Sequence, residues 1–301
     1  MTVLEAIQKS TDYLTRKGVE SPRLQTELLL AHLLQMPRMQ LYLNFERALS
    51  PAETDAFREL VKRRGQHEPL QHLTGSTSFC GLEIAVNCHA LVPRPETELL
   101  AEAGWQFLST LNLQPLTALD LGTGTGCIAI ALATKCPEAK VVATDVSVEA
   151  LALARENAAR NGVGERIEFL EANGFDFNRE GRRAGDPYSG AAVRRPSPFD
   201  LIISNPPYIP SAEIATLQPE VRDFDPRTAL DGGTDGLDFY RMFSVQAKPF
   251  LKAGGGLMLE FGDGQADAIR RMFEAEKWIV EAVREDYSHR ARILIATIKP
   301  K

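Results

Sequence analysis

The run Asp120-Leu121-Gly122-Thr123-Gly124-Thr125-Gly126 lies between two apolar stretches, Leu116 to Leu121 and Cys127 to Ala133. A short apolar run, a turn with glycine at alternate positions and a second apolar stretch spell strand, tight turn, helix. Such glycines let the backbone come close to a bound group while the first free N–H groups of the helix point at it. The next apolar run, Lys140 to Thr144, reads as a second strand ending in Asp145, 19 residues beyond Gly126. An adjacent parallel strand presents a carboxylate to ribose hydroxyls from that place. The turn alone does not separate a ligand site from a tight connection, but together with Asp145 it points to a nucleotide-like ligand. A nicotinamide dinucleotide and S-adenosylmethionine both suit the pattern. The dinucleotide fingerprint places its third glycine one residue later than Gly126, which favours the methyl donor.

From this turn the rest of the chain falls into order. Strands over 117–121, 140–145, 166–170 and 200–204 alternate with helices over 126–134 and 147–160, the second capped by Ser147 and closed at Asn161-Gly162. That alternation predicts an α/β, Rossmann-like, doubly wound parallel sheet. Helical stretches near 211–218 and 236–251, a strand 255–261, a helix 264–276 and strands near 278–284 and 291–298 complete it, the last two as an antiparallel edge. Residues 1–75 read as a separate helical bundle. Thr2 with Glu5 and Ser50 with Glu53 are capping boxes, Ser21-Pro22 opens a second helix, and Leu4, Ile7, Thr11 and Leu14 form a stripe. The cluster Lys62-Arg63-Arg64 reads as a solvated helix end. Residues 76–95 form a linker whose Thr77 to Val86 is a hairpin around Cys80-Gly81. Arg94-Pro95-Glu96-Thr97-Glu98 then opens a helix to about Leu111, with Glu96 and Glu98 at its positive end.

At 301 residues, 44% hydrophobic and 25% charged, the chain is long enough for two domains with a sizeable core. No apolar run is long enough to cross a bilayer and no leader is visible, so a soluble, cytoplasmic protein is expected. The net charge of −6 argues against a broad nucleic-acid footprint. Cys80, Cys88, Cys127 and Cys136 have irregular spacing in apolar surroundings and read as reduced thiols. His72, His89 and His289 lack metal-ligand spacing and read as loop or surface residues, with no metal required. Asn178 to Pro198 is rich in Gly, Pro and Arg and reads as a mobile, solvated loop.

The strand Asp200 to Ser204 runs into Asn205-Pro206-Pro207-Tyr208. Two successive prolines fix φ twice and remove two donors, so the tip is stiff and rich in acceptors. The tip resembles the signature of methyltransferases that act on planar NH2 groups, an amide or the amine of adenine. Asn205 Oδ1 and the Pro206 carbonyl would each accept one N–H of such a group, and Tyr208 would stack on it. Taken with Arg94 to Glu98, Pro226-Arg227, Gly232 to Tyr240 and Leu259-Glu260 in this order, the chain resembles the release-factor glutamine methyltransferases (the PrmC/HemK family) over nearly its whole length. The resemblance implies methyl transfer from S-adenosylmethionine to the side-chain amide nitrogen (N5) of the glutamine in the Gly-Gly-Gln loop of peptide chain release factors. It also implies a methyltransferase domain over 96–301 and an N-terminal bundle that helps to hold the protein substrate. Under it, Gly122, Thr123, Gly124, Thr125 and Gly126 cradle the methionine part, Asp145 holds the ribose, and Asn205, Pro206, Pro207 and Tyr208 take the target amide. The family's Asp and aromatic beside the adenine fall here on Asn173 and Gly174; Phe175 either covers the ring from the next position or belongs to the core. A monomer is expected, with no stable nucleic-acid or membrane partner. An N6-adenine nucleic-acid methyltransferase, a glutamine methyltransferase acting on a ribosomal protein, and a nucleotide-binding module without chemistry are the alternatives.

Overall fold

The computed structural model describes residues 1–111, 114–177 and 198–298. The chain forms two compact units, Met1–Ser76 together with Gln218–Phe224, and Thr77–Leu217 with Asp225–Lys301. In the first unit, α1 (Val3–Arg16), α2 (Pro22–Leu33), α3 (Arg38–Leu43), α4 (Pro51–Arg64) and α5 (Leu70–Thr74) surround a core that includes Ile7, Leu14, Leu29, Leu30, Leu41 and Phe57. Both expected capping boxes form, with Thr2 and Ser50 accepting from the N–H of Glu5 and Glu53. Ser21 differs: its φ of 46° is left-handed and its side chain makes no cap, so Pro22 alone starts α2. In the stripe of α1, Leu4 faces solvent, and Val3 and Ala6 are buried instead.

The reading of Arg64 as part of a solvated helix end is corrected by the structure. Its side chain is fully buried, donating to Gln25 Oε1, to the Glu68 carbonyl and to Glu220 within the Gln218–Phe224 segment. Three acceptors converge on one guanidinium, and this satisfies the charge that burial would otherwise penalise. Lys62 and Arg63 remain at the surface, Arg63 paired with Glu68.

The second unit begins at Thr77, within the hairpin of β1 (Ser76–Phe79) and β2 (Leu82–Ala85), which is turned by Cys80 and Gly81 at positive φ. Its main sheet is built from β3 (Leu116–Leu121), β4 (Ala139–Asp145), β5 (Ile167–Glu171), β6 (Phe199–Ser204), β7 (Leu251–Glu260), β8 (Ile279–Glu285) and β9 (Ala291–Thr297). Among the described residues these run in the order β5-β4-β3-β6-β7-β9-β8. The first five strands are mutually parallel, and β9 pairs antiparallel with both β7 and β8. Alternate residues feed opposite layers. Ala118, Leu201 and Met258 face the layer of α6 (Pro95–Thr110), α7 (Cys127–Lys135) and α8 (Val148–Arg160), whereas Leu119, Ile202 and Leu257 face that of α9 (Asp238–Gln246) and α10 (Ala266–Ala275). The chain proceeds outward from β3 through β4 to β5 and then returns to β6 on the other side of β3. This reversal opens a crevice at the carboxyl ends of β3 and β6, where ligands bind in such sheets.

The expected helix over 236–251 ends at Gln246, because Lys248-Pro249-Phe250 forms a 3-10 turn in which proline cannot continue the α-helical ladder. Residues 211–218 contain only a short 3-10 turn, Ile214–Thr216. The arginine-rich segment expected as a loop lies, apart from Pro198, outside the described residues. Cys88 is exposed, contrary to its expected apolar setting. Among the described residues no helix is long and apolar enough to cross a membrane.

Candidate active site

β4 braces the turn that follows β3. Gly122 and Thr123 both donate their N–H to the Thr144 carbonyl, each at 2.8 Å, and Gly124 N–H donates to Asp145 Oδ2 at 2.9 Å. Asp145 Oδ1 accepts from Ser147 N–H at 2.9 Å, so the carboxylate is aimed by the chain on both sides of it. Beneath the turn, Asp120 Oδ2 accepts from the Thr123 hydroxyl at 2.6 Å and from Ala129 N–H at 3.1 Å. Its Oδ1 is buried without a partner, and burial pushes the carboxyl up to about 7. Asn157, buried on α8, ties the Thr125 carbonyl to the backbone of Ala85 on β2. At Gly126 φ is +82°, and a Cβ there would stand 3.0 Å from Ala154 Cβ. The third glycine therefore serves close packing of α7 against α8.

The tip after β6 is held from three directions. The Tyr208 carbonyl accepts from Gln265 Nε2 at 2.9 Å, and Ile209 exchanges backbone bonds with Leu230 and Gly232. Asn205 Nδ2 donates to Thr97 Oγ1 at 3.1 Å, in the first turn of α6. Glu260, the last residue of β7, stands behind this pair. It is 2% exposed, its Oε2 has no hydrogen-bond partner, and burial pushes its carboxyl up to about 7 against the opposing pull of hydrogen bonds from Thr97 and Asn205 and the charge of Arg292. Burial, reinforced by Glu260, also raises the Tyr208 phenol to about 12.

A cleft enclosing about 1010 Å³, its open mouth included, brings most of the expected residues together. Gly122, Thr123, Gly124, Thr125, Asp145, Asn173, Gly174, Asn205 and Pro207 line it. Gly126, Pro206 and Tyr208 are not part of that lining. The space a side chain at 174 would take is filled by Met242, whose Sδ lies 2.5 Å from where a Cβ would be. Phe175 belongs to the core: it stacks on Phe250 at 5.0 Å and meets Phe243 and Phe177 edge-on, so it does not cover the cleft.

Several lining residues carry no expected role: His89, Thr97, Val146, Ala150 and Phe239. One wall, residues 89–94, is pinned to Pro226, Thr228 and Ala229 through Asp225, which pairs with Arg94 at 2.8 Å and accepts from Val92 N–H. For Glu260 a signal exists in the sequence, since Leu257-Met258-Leu259-Glu260 ends an apolar strand on an acid, as Asp145 ends β4. Phe239 offers no such signal, because it sits among aromatic residues that are otherwise core.

Comparison with known proteins follows the same division. Residues 5–75 match the PrmC N-terminal domain family and residues 114–291 match the methyltransferase domain family. The chain is 44% identical over 274 residues to the release factor glutamine methyltransferase of Geobacter sulfurreducens, covering 90% of this chain and 88% of that protein. It is 41% identical over 290 residues to the protein of the same name from Chlorobaculum tepidum, covering 95% and 94%. The fold is shared with the solved hMettl16 catalytic domain at a TM-score of 0.51 and 15% identity, over 84% of this chain and 83% of that one. With two relatives above 40% identity matched over 88% and 94% of their length, the chain belongs to the release factor glutamine methyltransferase family.

Proposed function

We propose that this protein transfers a methyl group from S-adenosylmethionine to the side-chain amide nitrogen of the glutamine in the Gly-Gly-Gln loop of peptide chain release factors. One observation carries the reading: the half-buried Asn205 lines the same cleft as the glycine turn and Asp145, with its Nδ2 committed to Thr97. Its Oδ1 is thereby the atom left to accept an N–H.

The residues present suit the methyl donor. The aimed carboxylate of Asp145 matches a diol, the apolar Val146, Ala150 and Phe239 match a purine, and a Cβ on Gly122 would meet nothing within 4 Å, leaving room for the methionine part. When bound, the sulfonium supplies an already activated methyl. The chain's own contribution is orientation. An amide nitrogen is a weak nucleophile because its lone pair is delocalised into the carbonyl. Acceptors on its two N–H bonds, Asn205 Oδ1 and the Pro206 carbonyl, fix the plane of the group and return electron density to nitrogen. Holding the two reactants in line supplies most of the acceleration. The N-terminal unit is the surface proposed to hold the rest of the protein substrate.

The test is a methyl-transfer assay with labelled S-adenosylmethionine. Release factor, its loop Gln→Ala variant, a ribosomal protein fraction and adenine-containing DNA are offered in parallel, and products are mapped by mass spectrometry. Label on the release factor that disappears with the variant is expected. Label confined to ribosomal protein or to DNA would overturn the substrate while keeping the chemistry, and no label anywhere would return the chain to a binding role.

A further inference from the structure

The cluster behind the Asn205 tip has a polarity that the cleft itself does not explain. Three side chains from three elements meet there: Asn205 from the end of β6, Thr97 from the start of α6 and Glu260 from the end of β7. Thr97 and Glu260 are 3% and 2% exposed, so the pair has little access to water. Asn205 Nδ2 gives one proton to Thr97 Oγ1, and the polar groups of both Asn205 and Thr97 lie near enough to the Glu260 carboxyl to favour its anion. A threonine hydroxyl has one proton, and with Oγ1 already accepting from Asn205 the neighbouring Glu260 anion is the group that draws it. What remains on the inner side is a set of acceptors. A side-chain amide turned the other way would put Oδ1 against a carboxylate and a hydroxyl oxygen with no proton to offer, losing the hydrogen bond to Thr97 and gaining repulsion.

Resting on the proposed role of Asn205, we infer that Glu260, acting with Thr97, is a positioning residue that locks the Asn205 amide with its NH2 inward and Oδ1 facing the cleft, selecting acceptor groups that donate N–H. The anion at the back thus dictates an acceptor at the front. The strand ends supply the placement, since β6 and β7 are parallel neighbours with Ser204 paired to Leu259, so Asn205 and Glu260 follow side by side. A buried carboxylate with one oxygen lacking any hydrogen-bond partner is costly to keep, which argues for a task beyond packing.

Protonation would release this lock, because a carboxylic acid offers a proton to Oδ1 as readily as it accepts one from Nδ2. The groups facing Glu260 are Glu96 and Thr97 from α6, Asn205 and Tyr208 from the tip, Tyr240 from α9, whose hydroxyl donates to the Glu260 carbonyl at 2.8 Å, and Arg292 from β9. Arg292 is already paired with Asp286 at 3.1 Å, and its charge favours the Glu260 anion. Burial raises the Glu260 carboxyl to about 7, so the lock loosens as pH falls through that value.

The experiment uses the full chain as wild type, E260Q, E260A and N205A. It measures kcat and KM for release factor from about pH 5.5 to about pH 8.5, spanning the range in which a raised carboxyl titrates, S-adenosylmethionine affinity by calorimetry, and the Asn205 side-chain NH2 resonances by 15N NMR, assigned by their loss in N205A. In E260A, kcat should fall about 100-fold, the scale of a misplaced reacting group, with KM and cofactor Kd changed less than about threefold. E260Q, whose amide like a protonated carboxyl can either accept from Nδ2 or donate to Oδ1, should lie between wild type and E260A at the level wild type reaches at low pH, and lose the fall in kcat below about pH 7. The Asn205 NH2 signals should titrate near the Glu260 value of about 7 in wild type and stand still in E260Q. Wild-type kcat in E260A, an unchanged pH profile in E260Q, or NH2 signals that ignore pH in the wild type would each overturn the inference. An inactive N205A beside an unaffected E260A sinks the Glu260 role alone, whereas full turnover by N205A removes the reading of the tip on which that role stands.

Discussion

Asp120 and Asp145 are both acids at the end of apolar strands, yet they live in different environments. Asp145 has each oxygen on a backbone N–H at the rim of the cleft, while Asp120 is fully buried with one oxygen unpartnered. Burial raises the Asp120 carboxyl from 3.8 to about 7. A carboxyl raised on folding favours the native state below its unfolded pKa, and that contribution is lost as pH rises through the folded value. Asp120→Asn, which mimics the neutral form, should therefore gain stability relative to wild type between about pH 5 and about pH 8.5, by about 2 to 3 kcal/mol at roughly 1.4 kcal/mol per pKa unit. Thermal melts of both proteins at the two pH values check this, and a difference independent of pH would contradict it. The sequence marks both acids as strand ends, but it does not say which one the turn covers. That depends on the Thr123 and Ala129 hydrogen bonds, which exist only once the turn and α7 have formed.

At the scale of elements, the strand, turn and helix around Gly122 to Gly126 form where the alternating glycines and flanking apolar runs put them. What pattern does not reveal is how α7 and α8 approach. Gly126 combines a left-handed φ with a neighbour at 3.0 Å, so Gly126→Ala meets a backbone penalty of about 1 to 2 kcal/mol and forces Ala154 to move. We expect a loss of at least about 2 kcal/mol by chemical denaturation, the backbone and overpacking terms together, and an unchanged midpoint would mean that the turn relaxes freely. The start of α6 is a similar case. Glu98 reads as a favourable charge at a helix N-terminus, and in the fold it accepts the N–H of Cys80 at 3.0 Å, fastening the hairpin turn. Phe175 and Phe239 show the limit of pattern: both are aromatic residues in apolar company, and only packing sends one to the core and the other to the cleft.

For the whole molecule, the informative segment is Gln218–Phe224, which belongs to the helical unit although it lies between the tip and the cleft wall in sequence. Arg64 holds it through Glu220. Arg64→Ala leaves Gln25, the Glu68 carbonyl and Glu220 without their shared donor. Because Glu220 is one-third exposed and can rehydrate, the expected cost is about 2 to 3 kcal/mol, at the lower end for a broken buried pair. Hydrogen exchange by mass spectrometry should show faster exchange over 218–224 with α7 and α8 still protected; unaltered exchange there would remove Arg64 as the clasp.

The sequence by itself determined the doubly wound sheet, the helical N-terminal unit, both capping boxes and the glycine-turn, Asp145 and Asn205 part of the cleft lining, because periodicity, caps and glycine turns are local and act within a few residues. Tertiary structure alone decided that Arg64 is buried, that Phe175 is core, and that Thr97 and Glu260 stand behind Asn205. Residues 97, 205 and 260 are far apart in the chain, and their meeting follows from the strand order β6-β7 and the helix laid across it. No local pattern encodes that neighbourhood.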